Sequence, residues 1–250
     1  MKLGISYMVF DGAEFINYAI NSIRSQADFI SVVYQTTSYF GNKASPEQFD
    51  ELKKANADKI IHVEPDLTIH HKINELNYRN LGLKLSKEAG CTHHISADID
   101  ELYLPNQLEY AKNNFEDNDC SIVNYDTYYK EPTYLIVPDQ KLEVTFIHKI
   151  DNEYEINSNP VFKKIETTRR HKNSNKVKIY KKEEFTVHHM SYVRKDIRKK
   201  LENSDNGRFY KIDNFIEDFN KYKAGDRLRI VPDLMNRKTK IVENIFNIKL

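Results

Sequence analysis

The 250-residue chain has no tryptophan, two cysteines, and only seven glycines and seven prolines. Cys91 and Cys120 are too few for a disulfide framework or a four-thiolate zinc site. Glycine and proline are scattered, so no linker, repeat or low-complexity tract stands out. The longest apolar runs are four residues, Tyr7 to Phe10 and Tyr134 to Val137, where a membrane-spanning helix needs about 20. No apolar stretch follows Met1-Lys2-Leu3-Gly4 to make a secretory leader. An excess of one charge is also missing. Thirty-eight Lys+Arg against 37 Asp+Glu leave +1, which excludes a chain whose whole surface grips nucleic acid. These absences lead to the expectation of one cytoplasmic domain over residues 1–250.

What is present supports a folded core. The chain is 40% hydrophobic and 12% aromatic, enough apolar surface to bury and too much for disorder. The near-zero net charge conceals segregation. Residues 1–160 carry 14 Lys+Arg against 25 Asp+Glu, and residues 161–200 carry 14 against 4. A basic block of this kind is either a solvated face or a surface for an anionic partner.

The first 110 residues alternate strand and helix patterns. Lys2–Phe10 is β-rich and stops at Asp11-Gly12; Ala13–Arg24 puts Phe15, Ile16, Ala19, Ile20 and Ile23 on one helical stripe. Phe29–Thr36, Lys59–Val63 and Thr92–Ala97 read as strands, Pro46–Asn56 and Ile73–Ala89 as helices. In the longer helix Ile73, Leu76 and Leu83 are expected to face inward, with Gly90 closing it. Repeated βα units imply a parallel sheet with helices on its faces. Beyond residue 115 the strand-like runs Cys120–Tyr129, Tyr134–Val137 and Leu142–Ile150 have no helix between them, so antiparallel pairing is expected there. Lys176–Lys181 and Phe185–His189 read as further strands, Arg194–Asn203 and Ile212–Tyr222 as helices. The fold class is α/β: a mixed sheet, parallel in its first half, with antiparallel additions and C-terminal helices.

The sharpest chemical feature is His94-Ile95-Ser96-Ala97-Asp98-Ile99-Asp100-Glu101. In extended chain Asp98 and Asp100 share a face. Two such carboxylates repel, and burying them together calls for a cation. Mg²⁺ and Mn²⁺ take oxygen ligands and leave room for water and substrate phosphates. In open α/β sheets ligands bind beyond the carboxyl ends of the strands, where this pair falls.

The run Asn77–Leu104, NYRNLGLKLSKEAGCTHHISADIDELYL, resembles the heart of family 2-type glycosyltransferases with the GT-A (Rossmann-like) fold. Such proteins have an Arg-Asn pair opening a helix, then a strand ending in D-x-D. The N-terminal ISYMVFDGAEFINYAINSI is similar to that family's first strand and helix, and His188 to Arg194 to a C-terminal histidine segment of some members. The likeness covers about residues 3–110, and 185–202 more loosely. It implies a nucleotide-binding half (1–110), an acceptor-side half (111–250), and transfer of one hexosyl or pentosyl unit from a nucleotide-diphosphate sugar to a hydroxyl in glycan biosynthesis. Asp98 would approach the ribose or metal, and Asp100 would hold the Mn²⁺ or Mg²⁺ bridging the phosphates. His189 is the candidate third ligand, with His188 on the strand's other side, or the reverse. Glu101 reads as a supporting acid.

Asp11, Gln35, Arg79 and Arg194 are the further nucleotide-sugar candidates. Arg169 competes with Arg194 for the diphosphate, because guanidinium binds phosphate bidentately. Base candidates are Asp126, Glu131, Asp139 and Asp151, with no ground for choosing among them. Gln35-Thr36 stands where many members have a base-reading aspartate, and without tryptophan there is no Q-x-x-R-W motif of a processive synthase. Of the histidine pairs, His70-His71 and His93-His94 read as structural, one member of the latter entering the core with a satisfied hydrogen bond. The acceptor class stays open among glycan, lipid-linked sugar and protein, with no nucleic acid partner. The basic block offers peripheral contact with an anionic membrane. Two rivals are a nucleotidyltransferase, which lacks its glycine-rich loop here, and a degenerate transferase acting as a binding module.

Overall fold

The computed structural model describes residues 1–157, 159–229 and 235–250. The chain runs through strand β1 (Leu3–Val9), helix α1 (Ala13–Ile23), β2 (Phe29–Tyr34), α2 (Pro46–Lys54), β3 (Lys59–His62), α3 (His71–Glu88), β4 (His93–Asp98), the short β5 (Glu101–Leu102) and α4 (Pro105–Asn113). It continues through β6 (Cys120–Tyr129), β7 (Tyr134–Val137), β8 (Glu143–Lys149), β9 (Val177–Ile179), β10 (Thr186–Tyr192), α5 (Ile197–Glu202), α6 (Ile212–Lys221) and β11 (Lys238–Ile241). These elements form two compact units, Met1–Asn124 with Leu142–Val187 and Tyr125–Lys141 with His188–Leu250, so that β6 and β10 each pass from one unit into the other. No helix among the described residues is long and apolar enough to cross a membrane.

In the first unit β3, β2, β1 and β4 lie side by side in parallel, with Ser31 opposite Lys59, Gly4 opposite Phe29, and Met8 opposite Asp98. β8 is antiparallel to β4 and to β6, and β9 lies parallel to β6. This is a GT-A-like, Rossmann-type mixed sheet, the α/β class expected from the sequence. α1 buries the stripe its spacing specified, with Phe15, Ile16, Ala19, Ile20 and Ile23 fully enclosed.

Helix α3 departs from expectation. Leu83 is buried, but Ile73 is 39% exposed, and the buried residues are mostly polar or small: Asn74, Glu75, Tyr78, Arg79, Gly82 and Ser86 beside Leu83 and Leu85. The reason is its close seat on β1. A Cβ on Gly82 would stand 2.5 Å from Ser6 Cβ, and one on Gly4 would stand 2.5 Å from Ser86 Cβ. Small residues face small residues, so backbones approach where bulky apolar side chains would hold them apart. Gly82→Val should destabilise the protein by about 2–3 kcal/mol through overpacking, read as a lower urea midpoint at unchanged slope.

The core beside this seam holds three histidines and a tyrosine. His94 of β4, His148 of β8 and His171 have no exposed surface; ring centroids lie 5.4 Å apart for His94–His148 and 4.2 Å for His148–His171. His94 enters the core as expected from the pair and its Nδ1 meets Ser86 Oγ at 2.8 Å, but its hydrogen bonding is only half satisfied, because Nε2 is buried without a partner. His148 donates from Nδ1 to the Lys149 carbonyl at 2.9 Å, so its Nε2 accepts from Tyr154 Oη, also at 2.9 Å. Burial, reinforced by His171, pushes His94 down to about 3; burial likewise pushes His171 down to about 3 and His148 well below the ordinary imidazole value.

In the second unit the end of β6, β7 and β11 make an antiparallel ribbon, with Tyr128 opposite Leu135 and Lys238 opposite Val137. Tyr129, Ile136, Ile197, Leu201, Phe215, Phe219, Tyr222 and Leu228 form its core.

Candidate functional site

Strand order reverses beside β1: the chain moves outward from β1 to β2 and β3, then returns to place β4 on the other side of β1. Such a switch point leaves a crevice at the carboxyl ends of the two central strands. Asp11 follows β1, Gln35 follows β2, and Asp98 closes β4.

Asp98 is the centre of a dense ion network. Its Oδ1 lies 3.2 Å from Arg79 Nη2 and its Oδ2 lies 2.7 Å from Arg169 Nη2. Arg79 has no exposed surface. Its guanidinium also reaches Glu75 Oε1 at 2.7 Å, Ser96 Oγ at 3.1 Å and Thr168 Oγ1 at 3.3 Å. Arg169, equally enclosed, grips Glu101 through Oε1 at 2.7 Å and Oε2 at 3.2 Å. Glu101 further accepts from Tyr103 Oη at 3.1 Å and the Asp98 amide at 3.3 Å, the supporting role expected of it. Lys72 bridges Glu75 at 3.0 Å and Glu166 at 2.5 Å.

These contacts fix the charge states. Burial raises the Asp98 carboxyl, but Arg169 and Arg79 outweigh it and hold the group below the ordinary carboxylate range. Burial likewise opposes ionisation of Glu75, and Arg79 with Lys72 overcomes it. Glu166 behaves oppositely: desolvation and the Glu75 carboxylate keep it above its ordinary value despite Arg79, Lys72 and Arg169.

The positive charge that burial of Asp98 demands is therefore supplied by two arginines, which corrects the inference that the carboxylate pair by itself requires a metal. Asp98, Glu75, Glu101 and Glu166 share Arg79, Arg169 and Lys72, and Asp100 lies close enough to Asp98 to oppose its ionisation. Among the described residues no group of three His, Cys, Asp or Glu side chains is arranged to hold a metal ion. Mg²⁺ and Mn²⁺ take one or two carboxylates and complete their shell with water and substrate phosphates; here each Asp98 oxygen already lies on a guanidinium, 3.2 Å from Arg79 and 2.7 Å from Arg169.

A second polar group lies at the ends of β1 and β2. Asp11 adopts φ 53°, accepts from the Ser45 amide through Oδ1 at 2.7 Å, and donates its own amide to Gln48 Oε1 at 2.5 Å. Gln48 Nε2 donates to the Gln35 carbonyl at 2.9 Å, so one buried side chain ties the two strand ends together. Gln35 Oε1 is buried without a hydrogen-bond partner. Beyond it Glu64 accepts from Thr36, His62 and Thr37; these bonds overcome burial and hold its carboxyl down to about 2.

Asp11, Gln35, Arg79, Asp98 and Asp100 thus all belong to the carboxyl-end region of the first unit. Arg79 is spent on buried acids rather than presented to solvent, and so is Arg169. Asp151 lies past the amino end of β4, where Ile150 donates to the Thr92 carbonyl, and its carboxylate pairs with Lys87 at 2.6 Å. Asp126, Glu131, Asp139, His189 and Arg194 belong to the second unit. There His188 is buried and bonded to Tyr128 Oη at 2.9 Å, and the His189 ring stands 4.9 Å from Tyr125. Of the basic block, Lys164, Lys176 and Lys178 sit in ion pairs with Glu143, Asp117 and Glu116.

Sequence reasoning missed Glu75 and Glu166. Glu75 was legible: it precedes Arg79 by four residues, the spacing of a helical ion pair. Glu166 and the inward turn of Arg169 had no such signal, because both lie inside a lysine-rich run with little regular structure.

No family model matches the chain, and no curated protein sequence matches it. Among solved structures it is similar to S. aureus TarS 1-349, with 13% identity over 82% of this chain and 66% of that one, at a TM-score of 0.44. A structure of S. aureus TarS gives 15% identity over 88% of this chain and 43% of that one, at 0.46. TarS 1-349 in complex with UDP-GlcNAc gives 12% over 80% and 64%, at 0.40. This chain therefore spans just under two thirds of the shorter TarS structure and less than half of the longer one.

Proposed function

We propose that the chain is a glycosyltransferase of the family 2 kind, moving one sugar from a nucleotide-diphosphate donor to an acceptor hydroxyl. The observation that carries this reading is the Asp98/Asp100 pair at the carboxyl end of β4, beside a topological switch point, with Asp98 fixed by Arg79 and Arg169. Asp11 and Gln35, at the neighbouring strand ends, are assigned to the nucleoside, with the unpartnered Gln35 Oε1 aimed at a base N–H. Asp100 is assigned to Mn²⁺ or Mg²⁺ and Asp98 to the ribose or the ion. Arg79 and Arg169 fix the Asp98 carboxylate in place, so its geometry is set before substrate arrives. A divalent ion, when bound, neutralises the charge that grows on the departing diphosphate.

A test is release of nucleoside diphosphate from a panel of UDP-, GDP- and dTDP-sugars with Mn²⁺. Asp100→Ala should lower the rate on the cognate donor by about 100-fold or more, the scale of a lost charge-stabilising contact. Equal rates for the variant and the native chain would refute the assignment.

A further inference from the structure

Charge in this chain is divided by unit, and not where composition suggested. The second unit carries 17 Lys+Arg against 12 Asp+Glu, and the first 21 against 25 although it holds most of the basic block. Part of the second unit's surplus gathers on one ribbon. Arg227 pairs with Lys238 in an antiparallel bridge, Leu228 donates to the Arg237 carbonyl at 2.9 Å, and Lys238 of β11 lies opposite Val137 of β7. Side chains alternate across such a ribbon. Leu228 and Thr239 turn inward: Leu228 joins the core around Phe215 and Phe219, and Thr239 Oγ1 lies 3.0 Å from Tyr222 Oη of the same core. Arg227, Arg229, Lys238 and Lys240 therefore share the opposite face, and all four are exposed. Among the described residues none of the four has an ion pair. Arg237, out of phase with them, is spent on the Pro138 and Asp139 carbonyls. Asp226, the acid next to Arg227, turns back to accept from the Lys223 amide at 2.9 Å. Two large apolar side chains flank the cations: Ile241, next to Lys240, is 72% exposed, and Met235, two residues before Arg237, is 58% exposed.

We infer that this ribbon is a docking surface for a bilayer containing anionic phospholipid, and that the lysine-rich run of residues 161–187 is not. Cations interleaved with exposed apolar side chains suit a lipid surface, where the cations meet headgroups and the apolar groups enter the acyl boundary. A soluble polyanion would use the cations and leave Ile241 and Met235 in water. The lysine-rich run is already engaged: Lys164, Lys176 and Lys178 pair with Glu143, Asp117 and Glu116, and Arg169 is buried. Each ribbon cation is worth about fivefold in partition onto an anionic membrane, so four together give about 600-fold, a reversible attachment. This inference concerns the second unit by itself and does not depend on the donor reading.

The test is cosedimentation of the full chain with sucrose-loaded vesicles, either pure phosphatidylcholine or phosphatidylcholine mixed with phosphatidylglycerol. Binding is expected only with phosphatidylglycerol, and it should fall as salt rises. Lys238→Gln combined with Lys240→Gln should weaken it about 25-fold. Ile241→Ser should weaken it about fivefold by removing an apolar contact. Lys176→Gln combined with Lys178→Gln should leave it unchanged. All the altered side chains lie at the surface, so an unmoved urea midpoint separates lost binding from lost fold. Absence of vesicle binding overturns the inference, as does equal binding to pure phosphatidylcholine or binding that survives the Lys238/Lys240 change. Loss through the Lys176/Lys178 change overturns it too, and returns the role to the basic block. Vesicle binding indifferent to Ile241→Ser, or binding of soluble polyphosphate without any binding of vesicles, overturns the bilayer in favour of a soluble polyanion.

Discussion

Lowering the pH from 7 to 5 should remove about 4 kcal/mol of folding stability through His94 and His171 alone, with His148 adding loss of the same sign. The direction follows from where each proton binds. In the unfolded chain these imidazoles titrate near 6.5, and in the folded protein His94 and His171 reach only about 3. Between those values the unfolded chain takes up protons that the folded one refuses, so acid favours unfolding. The contribution is complete above about pH 6.5 and shrinks by up to about 1.4 kcal/mol per pH unit for each group as the pH falls. Most domains have only about 5–15 kcal/mol in total, so this protein should be close to unfolding at pH 5. The depressed carboxylates Asp98 and Glu75 act later, because their unfolded forms take up protons only below about pH 5. Urea denaturation at half-unit steps from pH 7.5 to 4.5 reads the effect. A stability curve flat between pH 7 and 5 would show that the three rings are not buried together as described.

Arg169→Met should cost about 3–5 kcal/mol, the scale for removing one partner of a buried ion pair. Two acids depend on this one guanidinium. Glu101 is 1% exposed and loses the Arg169 contacts at 2.7 and 3.2 Å; Asp98 loses its 2.7 Å partner and keeps Arg79 at 3.2 Å. Much of the cost is the buried Glu101 charge left without the Arg169 guanidinium rather than the lost bonds themselves. The double change Arg169→Met with Glu101→Gln should therefore be less destabilised than the sum of the single changes, by more than about 1 kcal/mol. Chemical denaturation of the four proteins checks this. Strict additivity would place Arg169 and Glu101 in separate environments.

How much of this was legible in the sequence depended on whether a pattern was local. The apolar stripe of α1 and the strand-turn punctuation around β1 are set by neighbours within one helical turn or one pleat, and both were read correctly. Cys120–Tyr129 and Tyr134–Val137 form strands with those bounds, because alternation and β-branched content mark them. The inward face of α3 was misread because an apolar periodicity rule assumes an apolar seat. Here Gly4, Ser6, Gly82 and Ser86 allow close backbone approach, and the rest of the face carries Glu75 and Arg79 to the strand ends. α4 and β11 went unrecognised: α4 buries only Leu108 and Ala111, and β11 is mostly exposed.

The site divides in the same way. Asp98 and Asp100 stand out because two acids follow an apolar run, but β4 ends at Asp98 and Asp100 lies in the turn beyond it, so the shared face expected of extended chain does not reach Asp100. Arg169 and Glu166 were hidden because they lie about 70 residues further along in a charged loop, and only folding brings them to Asp98. The basic composition of residues 161–200 pointed to phosphate or membrane, whereas its buried arginine, Arg169, turns inward to neutralise acids. An average over a window cannot distinguish a guanidinium facing solvent from one facing a buried carboxylate.

The most direct measurement is calorimetric titration of the native chain and Asp100→Asn with the nucleotide-sugar panel, in Mn²⁺ and then in EDTA. The expected result is saturable binding of one donor class by the native chain, weakened at least about tenfold, or about 1.4 kcal/mol, by EDTA and by Asp100→Asn alike. Binding that ignores both the ion and Asp100, or no binding by the native chain at all, contradicts a donor site at the carboxyl end of β4.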